Sequence, residues 1–482
     1  MTNFGMLQDS DVLEEIINIG IRLSREKNHF KLLEKILFEI RRITRADAGT
    51  LFILEDEKLV FKIMENDTLN IYKGKDGEHI DLPPVELSLK NVSSCAALEK
   101  KMINIEDVYL VEGEYDFSGP KKYDCITGYR TKSMLVIPLM DQESNVLGVI
   151  QLINSKDESG NTRKFPKELE KIVSSLASQA AVFIKNMLYV EEINDLFRSF
   201  VEVMATAIDE RSPYNMNHTR NIVNLIEKFA KYLNENHAEI ACFDENKMEQ
   251  LIMASWLHDI GKIAIPEDIM DKPTRLGRKY NEIKMRLAYI EKTIELKNEN
   301  TEDIKRLRVL VDEQNSPANF GKKEIIEEIS KLARRKYINL EGIEDTWLKE
   351  DEIIDLSIVK GTLTDEERKV MESHVEVGRR MLSKMQFNDS FKNVPNWAMN
   401  HHEYMDGSGY PNKLSGEEIP IESRMLTIID IFEALTSRDR PYKKAMEAEQ
   451  ALDIMCFMEK EGKLDSTLFE IFKNSSIWNK RE

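Results

Sequence analysis

The spacing of apolar positions changes twice along the chain. Leu32, Leu33, Ile36, Leu37 and Ile40 recur at helical spacing, as do Leu13, Ile16 and Ile17 before them. Together they predict two amphipathic helices over 10–45. The period then shortens to two. AGTLFILEDEKLVFKIMEN reads as two strands around an acidic turn at Glu55–Lys58, and SMLVIPLMDQESNVLGVIQLIN as a second pair around Asp141–Asn145. Helices mixed with a paired antiparallel sheet define an α+β domain. From Lys167 to about Glu210 the period lengthens again. Leu169, Ile172, Leu176, Ala180, Phe183, Met187 and Val190 recur every three or four residues, with no proline until Pro213. A helix of that length reads as a connecting rod, open to pairing with its twin in a homodimer. The alternative is two ordinary helices with a break near Asn194.

After residue 200 the periodicity is helical throughout, which predicts an all-α bundle. Within it the block 275–360 stands apart, rich in Lys, Glu and Arg. It carries one apolar stripe at Ile283, Leu287, Ile290 and Ile294 and another at Ile304, Leu307, Leu310 and Val311. KNENTED separates the stripes. The pattern predicts an inserted helical hairpin with a solvated outer face.

Composition narrows the function. A chain of 482 residues is too long for one ordinary core, and its length fits roughly two to four domains. The formal net charge is −18, with 32% charged and 41% hydrophobic residues. An acidic chain repels phosphate backbones, so a nucleic-acid polymer is not an expected partner, while a local basic pocket for a small anion stays open. Cys95, Cys125, Cys242 and Cys456 are scattered without a CxxC pair. That excludes a disulfide framework or a thiolate metal site and fits a reducing cytoplasm. MTNFGMLQDSDVLEEIINIG lacks the basic start and apolar run of a signal peptide. No window of about 18 uncharged apolar residues predicts a membrane span.

The chain has eight histidines, and His29, His79 and His237 have no suggestive company. His258 does: an apolar helical approach ends in His258–Asp259, followed by Gly261 and Lys262. An imidazole beside a carboxylate at a helix end offers N and O ligands, and a bridging carboxylate holds two cations close together. Lys262 lies about one turn further on, placed to meet a phosphate oxygen as a point charge. His374 sits in the amphipathic run RKVMESHVEVGRRML, and Asp430 interrupts the apolar helix MLTIIDIFEAL. A buried carboxylate needs a compensating charge, which a metal supplies. His401 and His402 end another helix, just before the turn-forming DGSGYP, whose Gly407, Gly409 and Pro411 let backbone approach a ligand. Nitrogen and oxygen donors without sulfur point to a hydrolytic site carrying iron, manganese or zinc rather than to structural zinc.

HDIGK, HHEYMDGSGYP and IESRMLTIIDIFEALTSRDRPYKKAM resemble the signature of HD-GYP phosphodiesterases, a branch of the HD metal-dependent phosphohydrolases that degrades cyclic di-GMP. The resemblance covers 200–275 and 361–450. It implies metal ligands at His218, His258, Asp259, His374, His401, His402 and Asp430, with two divalent metal ions. It implies phosphate contact by Lys262, by Arg440 and Lys443 in RPYKK, and a ligand-facing GYP at Gly409, Tyr410 and Pro411. Tyr214 replaces the glutamate that holds a third metal in some members. Glu433 stands where an Asp is usual, with little effect expected. In simpler members the segments flanking 275–360 are nearly continuous.

VLGVIQLINSK and FPKELEKIVSSLASQAAVFIKNMLY resemble a GAF domain. Asn154, Lys156 and Phe165 partly echo the pattern of nucleotide-binding GAF domains, whereas Lys167 and Glu168 do not complete it. A small-molecule ligand of this domain is of unknown identity. The expected organisation is thus a GAF domain over 1–190, a connecting helix over 167–210, and an HD-GYP domain over 200–482 with the 275–360 insertion. The expected activity is hydrolysis of cyclic di-GMP to pGpG and GMP in the cytoplasm. The rivals are a catalytically weak or inactive nucleotide-binding effector that signals through protein partners, and a hydrolase of another cyclic dinucleotide.

Overall fold

The computed structural model describes residues 29–74, 78–89, 91–111, 115–212, 217–437 and 446–479. The helix expected around Leu13, Ile16 and Ile17 lies outside them, as do Tyr214, Arg440 and Lys443. The chain divides into two compact units, Met1–Asp195 and Leu196–Glu482. No helix among the described residues is long and apolar enough to cross a membrane.

The first unit holds α1 (His29–Thr44), β1 (Ala46–Glu55), β2 (Lys58–Asn66), β3 (Ile71–Lys73), β4 (Val85–Glu86), α2 (Val92–Glu99), β5 (Ile103–Ile105), α3 (Ser118–Thr127), β6 (Met134–Met140), β7 (Val146–Lys156) and β8 (Thr162–Arg163). Helix α4 (Lys167–Asp209) starts here, ends in the second unit, and has no break at Asn194. The sheet runs β3-β2-β1-β7-β6-β5, with β4 on β2 and β8 on β7. The neighbouring strands β1, β2, β6 and β7 pair antiparallel. Glu55 faces Lys58 across the first hairpin, where Asp56 and Glu57 take φ of 45° and 60°, the twist that suits a two-residue turn. Alternation divides the core. Leu51, Ile53, Ile137 and Ile150 pack with Ile36 and Leu37 of α1 and Leu176 and Ala180 of α4. Phe52, Val136 and Val149 pack with Val92 and Ala96 of α2. A sheet covered on both faces explains the nearly continuous apolar runs of its central strands.

At one end of this sheet the polar groups satisfy one another. Buried Asp47 accepts from the Tyr129 hydroxyl at 2.8 Å and from Thr68 at 2.9 Å, and pairs with Lys156. Asn154 donates to Tyr129 at 3.1 Å and to the Arg130 carbonyl at 2.7 Å, and accepts from the Lys132 amide at 2.7 Å. The residues that echo a nucleotide-binding pattern are therefore engaged inside the fold, and Phe165 is buried in the core.

In the second unit come α5 (His218–Asn236), α6 (Glu245–Leu257), a 3-10 turn (Ile260–Ala264) and α7 (Glu267–Met270). After the insertion come α12 (Asp365–Leu382), α13 (Val394–Ala398), α14 (Ile421–Thr436), α15 (Ala448–Lys460) and α16 (Ser466–Ser475). Ile222 and Phe229 of α5, Leu251 of α6, Val375 of α12, Ile429 of α14 and Phe472 of α16 share one core.

The 275–360 block is more than the expected hairpin. It comprises α8 (Tyr280–Leu296), α9 (Glu302–Asn315), α10 (Lys323–Ala333), a β9–β10 ribbon (Lys336–Ile338, Glu344–Thr346) and α11 (Glu350–Leu356). Two facing stripes leave apolar edges uncovered. Ile329 and Leu332 of α10, with Trp347 and Leu348, close a separate core around them. Arg275, fully buried at the entrance, donates to the Ser316 carbonyl at 3.0 Å and to the Gln314 carbonyl, a cation at the C-terminus of α9. At the exit Lys272 bridges Asp355 of α11 (3.2 Å) and Glu367 of α12 (2.8 Å).

Candidate metal centre

Five chain segments bring the ligand candidates together. His258 closes α6 as its C-cap, and Asp259 opens the 3-10 turn that carries Gly261 and Lys262. That turn lies against α12 so closely that a Cβ on Gly261 would fall 1.8 Å from the His374 carbonyl oxygen. A glycine here is what lets His374 approach Asp259. His218 is the first residue of α5, and Asp430 projects from α14. His401 and His402 follow α13, with the His401 carbonyl held by the Thr427 hydroxyl of α14 at 2.7 Å.

Asp259 stands at the centre. Its Oδ2 faces His258 Nε2 at 3.2 Å and His218 Nε2 at 3.6 Å. Its Oδ1 faces His374 Nε2 at 3.3 Å and His401 Nε2 at 3.9 Å. On one side His218 reaches Asp430 at 3.4 Å. His218, His258 and Asp430 form one group whose donor atoms all lie within 4.8 Å of each other, and His374, His401 and His402 form another. A third group joins His258, Asp259 and His401 across the middle. Asp259 thus lies between the two triads, one carboxylate oxygen toward each.

The ring orientations favour metal binding. Nδ1 of His258, His374 and His401 each meets a carbonyl three residues back, those of Ser255 (2.7 Å), Met371 (2.7 Å) and Ala398 (2.6 Å). A proton on Nδ1 leaves the Nε2 lone pair facing inward. The Nε2 atoms of these three residues and Oδ1 of Asp259 are buried with no hydrogen-bond partner among the described residues. Divalent cations fit these donors. Burial pushes His402 down to about 3, and His374 and His401 downward as well, so all three rings are neutral at ordinary pH, the form in which an imidazole can bind a metal. Burial works to raise Asp259, yet the Lys262 ammonium beside it holds its carboxyl well below the usual range. Lys262 itself is ion-paired with Asp259 Oδ2.

The GYP loop packs back onto this centre. The Tyr410 amide donates to the His402 carbonyl at 3.1 Å, and the Tyr410 ring lies 4.8 Å from that of His402. Gly409 runs so close that a Cβ would sit 2.4 Å from the Tyr404 nitrogen. Glu403 accepts from the Asn412 amide at 2.6 Å and from the Leu414 amide at 3.0 Å, fixing the far side of the loop.

Glu433, expected to matter little, is buried and bound to His218 Nδ1, and its other oxygen accepts from Asn221 at 3.0 Å. It orients the one centre histidine whose Nδ1 is held by a carboxylate. Its sequence signal was a second acid three residues after Asp430, one turn along the same apolar helix.

Family models match this chain in three places: a GAF domain at residues 31–184 and HD domains at 215–337 and 351–468. The chain therefore carries a GAF domain followed by an HD domain region. Its relatives are cyclic-dinucleotide phosphodiesterases. The 3'3'-cGAMP-specific phosphodiesterase 1 of Vibrio cholerae is 25% identical over 294 residues, covering 61% of this chain and 44% of the relative. The cyclic di-GMP phosphodiesterase response regulator RpfG of Xanthomonas campestris is 45% identical over 92 residues, 19% of this chain and 24% of the relative. The cyclic di-GMP phosphodiesterase of Thermotoga maritima is 41% identical over 91 residues, again 19% and 24%. The chain thus spans less than half the length of these relatives.

Proposed function

We propose that this chain is a metal-dependent phosphodiesterase that hydrolyses cyclic di-GMP to pGpG and then GMP. In this reading it works in the cytoplasm, as a homodimer, under control of its GAF domain and whatever small ligand that domain binds. The observation that carries the reading is the convergence of unpartnered buried donors, three imidazole Nε2 atoms and Asp259 Oδ1, in one centre.

His218, His258 and Asp430 would hold one ion and His374, His401 and His402 the other, with the Asp259 carboxylate available between them. Iron or manganese suits this N and O donor set, and zinc is the further candidate. Bound there, two divalent ions supply Lewis acidity and a nucleophilic oxygen at neutral pH for in-line attack on a phosphodiester. Lys262 offsets charge that builds on the nonbridging oxygens in the transition state. Gly409, Tyr410 and Pro411 shape the wall beside His402, and Arg440 and Lys443 contact ligand phosphates. Water adds across one P–O bond, the freed ribose oxygen takes the proton, and linear pGpG results. A second cut gives GMP.

A second substrate, 3'3'-cGAMP, is favoured by the relative with the 294-residue alignment. Turnover of both dinucleotides by the anaerobically purified chain, with manganese or ferrous iron added, separates the readings. The proposal expects pGpG or GMP to form faster from cyclic di-GMP. Faster cleavage of 3'3'-cGAMP transfers the assignment, and a metal-loaded protein that binds either nucleotide without cleaving it refutes the enzyme.

A further inference from the structure

A 3-10 turn leaves its last carbonyls without a partner in its own hydrogen-bond ladder. At the end of Ile260–Ala264 Arg211 meets them. One of its terminal nitrogens donates to the Lys262 carbonyl at 3.0 Å and to the Ile263 carbonyl, and the other to the Ile265 carbonyl at 3.1 Å. Arg211 and the turn belong to the same compact unit. A guanidinium presents its N–H groups in a rigid planar fork, so one side chain fixes several oxygens in a set arrangement, which the point charge of an ammonium does not.

That turn carries two residues of the candidate site, Asp259 as its N-cap and Lys262 within it. Its middle is fixed by Gly261, which lies against the backbone of α12 at His374 and Gly378. Its far end is fixed by the Arg211 fork, through the carbonyl of Lys262 itself. The same short segment holds a second ligand-bearing element. Asp209, two residues before Arg211, accepts from the Thr219 amide at 3.1 Å and from its hydroxyl at 3.0 Å, beside His218 at the start of α5. His218 Nε2 and Asp259 Oδ2 face each other at 3.6 Å, and residues 209–211 thus hold the two elements that bear them. We propose that Arg211 is a positioning residue for the metal centre: by holding the end of the 3-10 turn it keeps the Asp259 carboxylate between the two triads. It acts through the turn, since these hydrogen bonds end on backbone oxygens. The inference rests on the two-metal reading of the centre.

A positioning role and a merely structural one move different quantities. Arg211 is exposed, so its loss takes little from the packed core and changes global stability little. A ligand that has lost its outer support binds metal more weakly even in a folded protein. Ser212, the next residue, supplies the comparison. It is buried, and its hydroxyl donates to Asp271 Oδ1 at 2.6 Å, outside the turn. Its removal costs the fold a buried hydrogen bond and leaves the hold on Asp259 in place.

The test uses the full chain, freed of metal and titrated with manganese or ferrous iron below each melting transition, with melting of the metal-free protein measured alongside. Arg211→Ala should bind the metal about 10-fold or more weakly while melting close to the parent. Arg211→Lys, which keeps the charge and loses the fork, should recover only part of the affinity. Ser212→Ala should melt lower than Arg211→Ala and bind metal as the parent does. Arg211→Gln carries the same expectation as Arg211→Ala and replaces it if the Ala variant does not fold. Parent-level affinity without the arginine overturns the inference and leaves the two-metal reading intact. Equal losses of affinity in Arg211→Ala and Ser212→Ala also overturn it, because affinity then follows stability and not the hold on the turn. A folded parent that takes up neither metal overturns the two-metal reading and this inference with it.

Discussion

Two places in this molecule bury polar side chains, one at the end of the GAF sheet and one at the HD centre. Around Asp47 the carboxylate is engaged: Tyr129 and Thr68 donate to it, and Asn154 ties Tyr129 to the following loop. Around Asp259 the Nε2 atoms of His258, His374 and His401 converge with no hydrogen-bond partner among the described residues. A buried polar atom left unpaired costs about 1–3 kcal/mol. Elsewhere such atoms occur singly, as at Trp347 Nε1. Four in one centre make a large liability for the bare protein, which bound cations would remove. Chemically similar residues thus have opposite meanings: a closed network holds the fold, and an open one awaits a ligand.

The largest effect expected from breaking this contrast is at the open network. Replacing both His258 and Asp259 with Ala removes one member of the His218 triad and the carboxylate that lies between the two triads. Metal content should fall to background and turnover by roughly 10⁴-fold or more, read by metal analysis and product chromatography. The fit of the turn against α12 comes next. Gly261→Ala places a Cβ 1.8 Å from a backbone oxygen, which forces backbone movement worth about 3 kcal/mol or more. At Gly378 the added Cβ meets the flexible Met399 sulfur at 2.8 Å, so Gly378→Ala should cost only about 1 kcal/mol. Thermal melts of the two variants give the ordering.

Smaller still is loosening His218. Glu433→Gln removes the carboxylate on its Nδ1 and should weaken metal affinity by about 10–100-fold, with Glu433→Asp keeping part of it. Metal titration checks this apart from activity. In the closed network, Tyr129→Phe deletes two hydrogen bonds. It should destabilise by about 1–2 kcal/mol and leave metal content unchanged. A fall in metal content there would erase the contrast.

Much of this was legible in the sequence because period and motif act locally. The hairpin at Glu55–Lys58, the turn at Asp141–Asn145 and the helix through Asn194 follow from spacing alone. His258 and Asp259 were found because an imidazole and an acid stand side by side at a helix end. His218 has no such neighbour, and its place in the centre comes from Asp430 and Glu433 on α14, far along the chain. Glu433 was underrated because a sequence shows an acid on a helix face but not the ring it reaches. The insertion was read short for a related reason. Two amphipathic stripes look complete in one dimension, and only the packing shows that α10 and Trp347 are needed to cover them.

The central claim is that the open network is a two-metal site, and metal analysis of the anaerobically purified chain tests it most directly. The account predicts about two iron or manganese ions per chain, lost together in the His258→Ala, Asp259→Ala double variant. A folded parent chain that carries no divalent metal, and takes none up on titration, would contradict it.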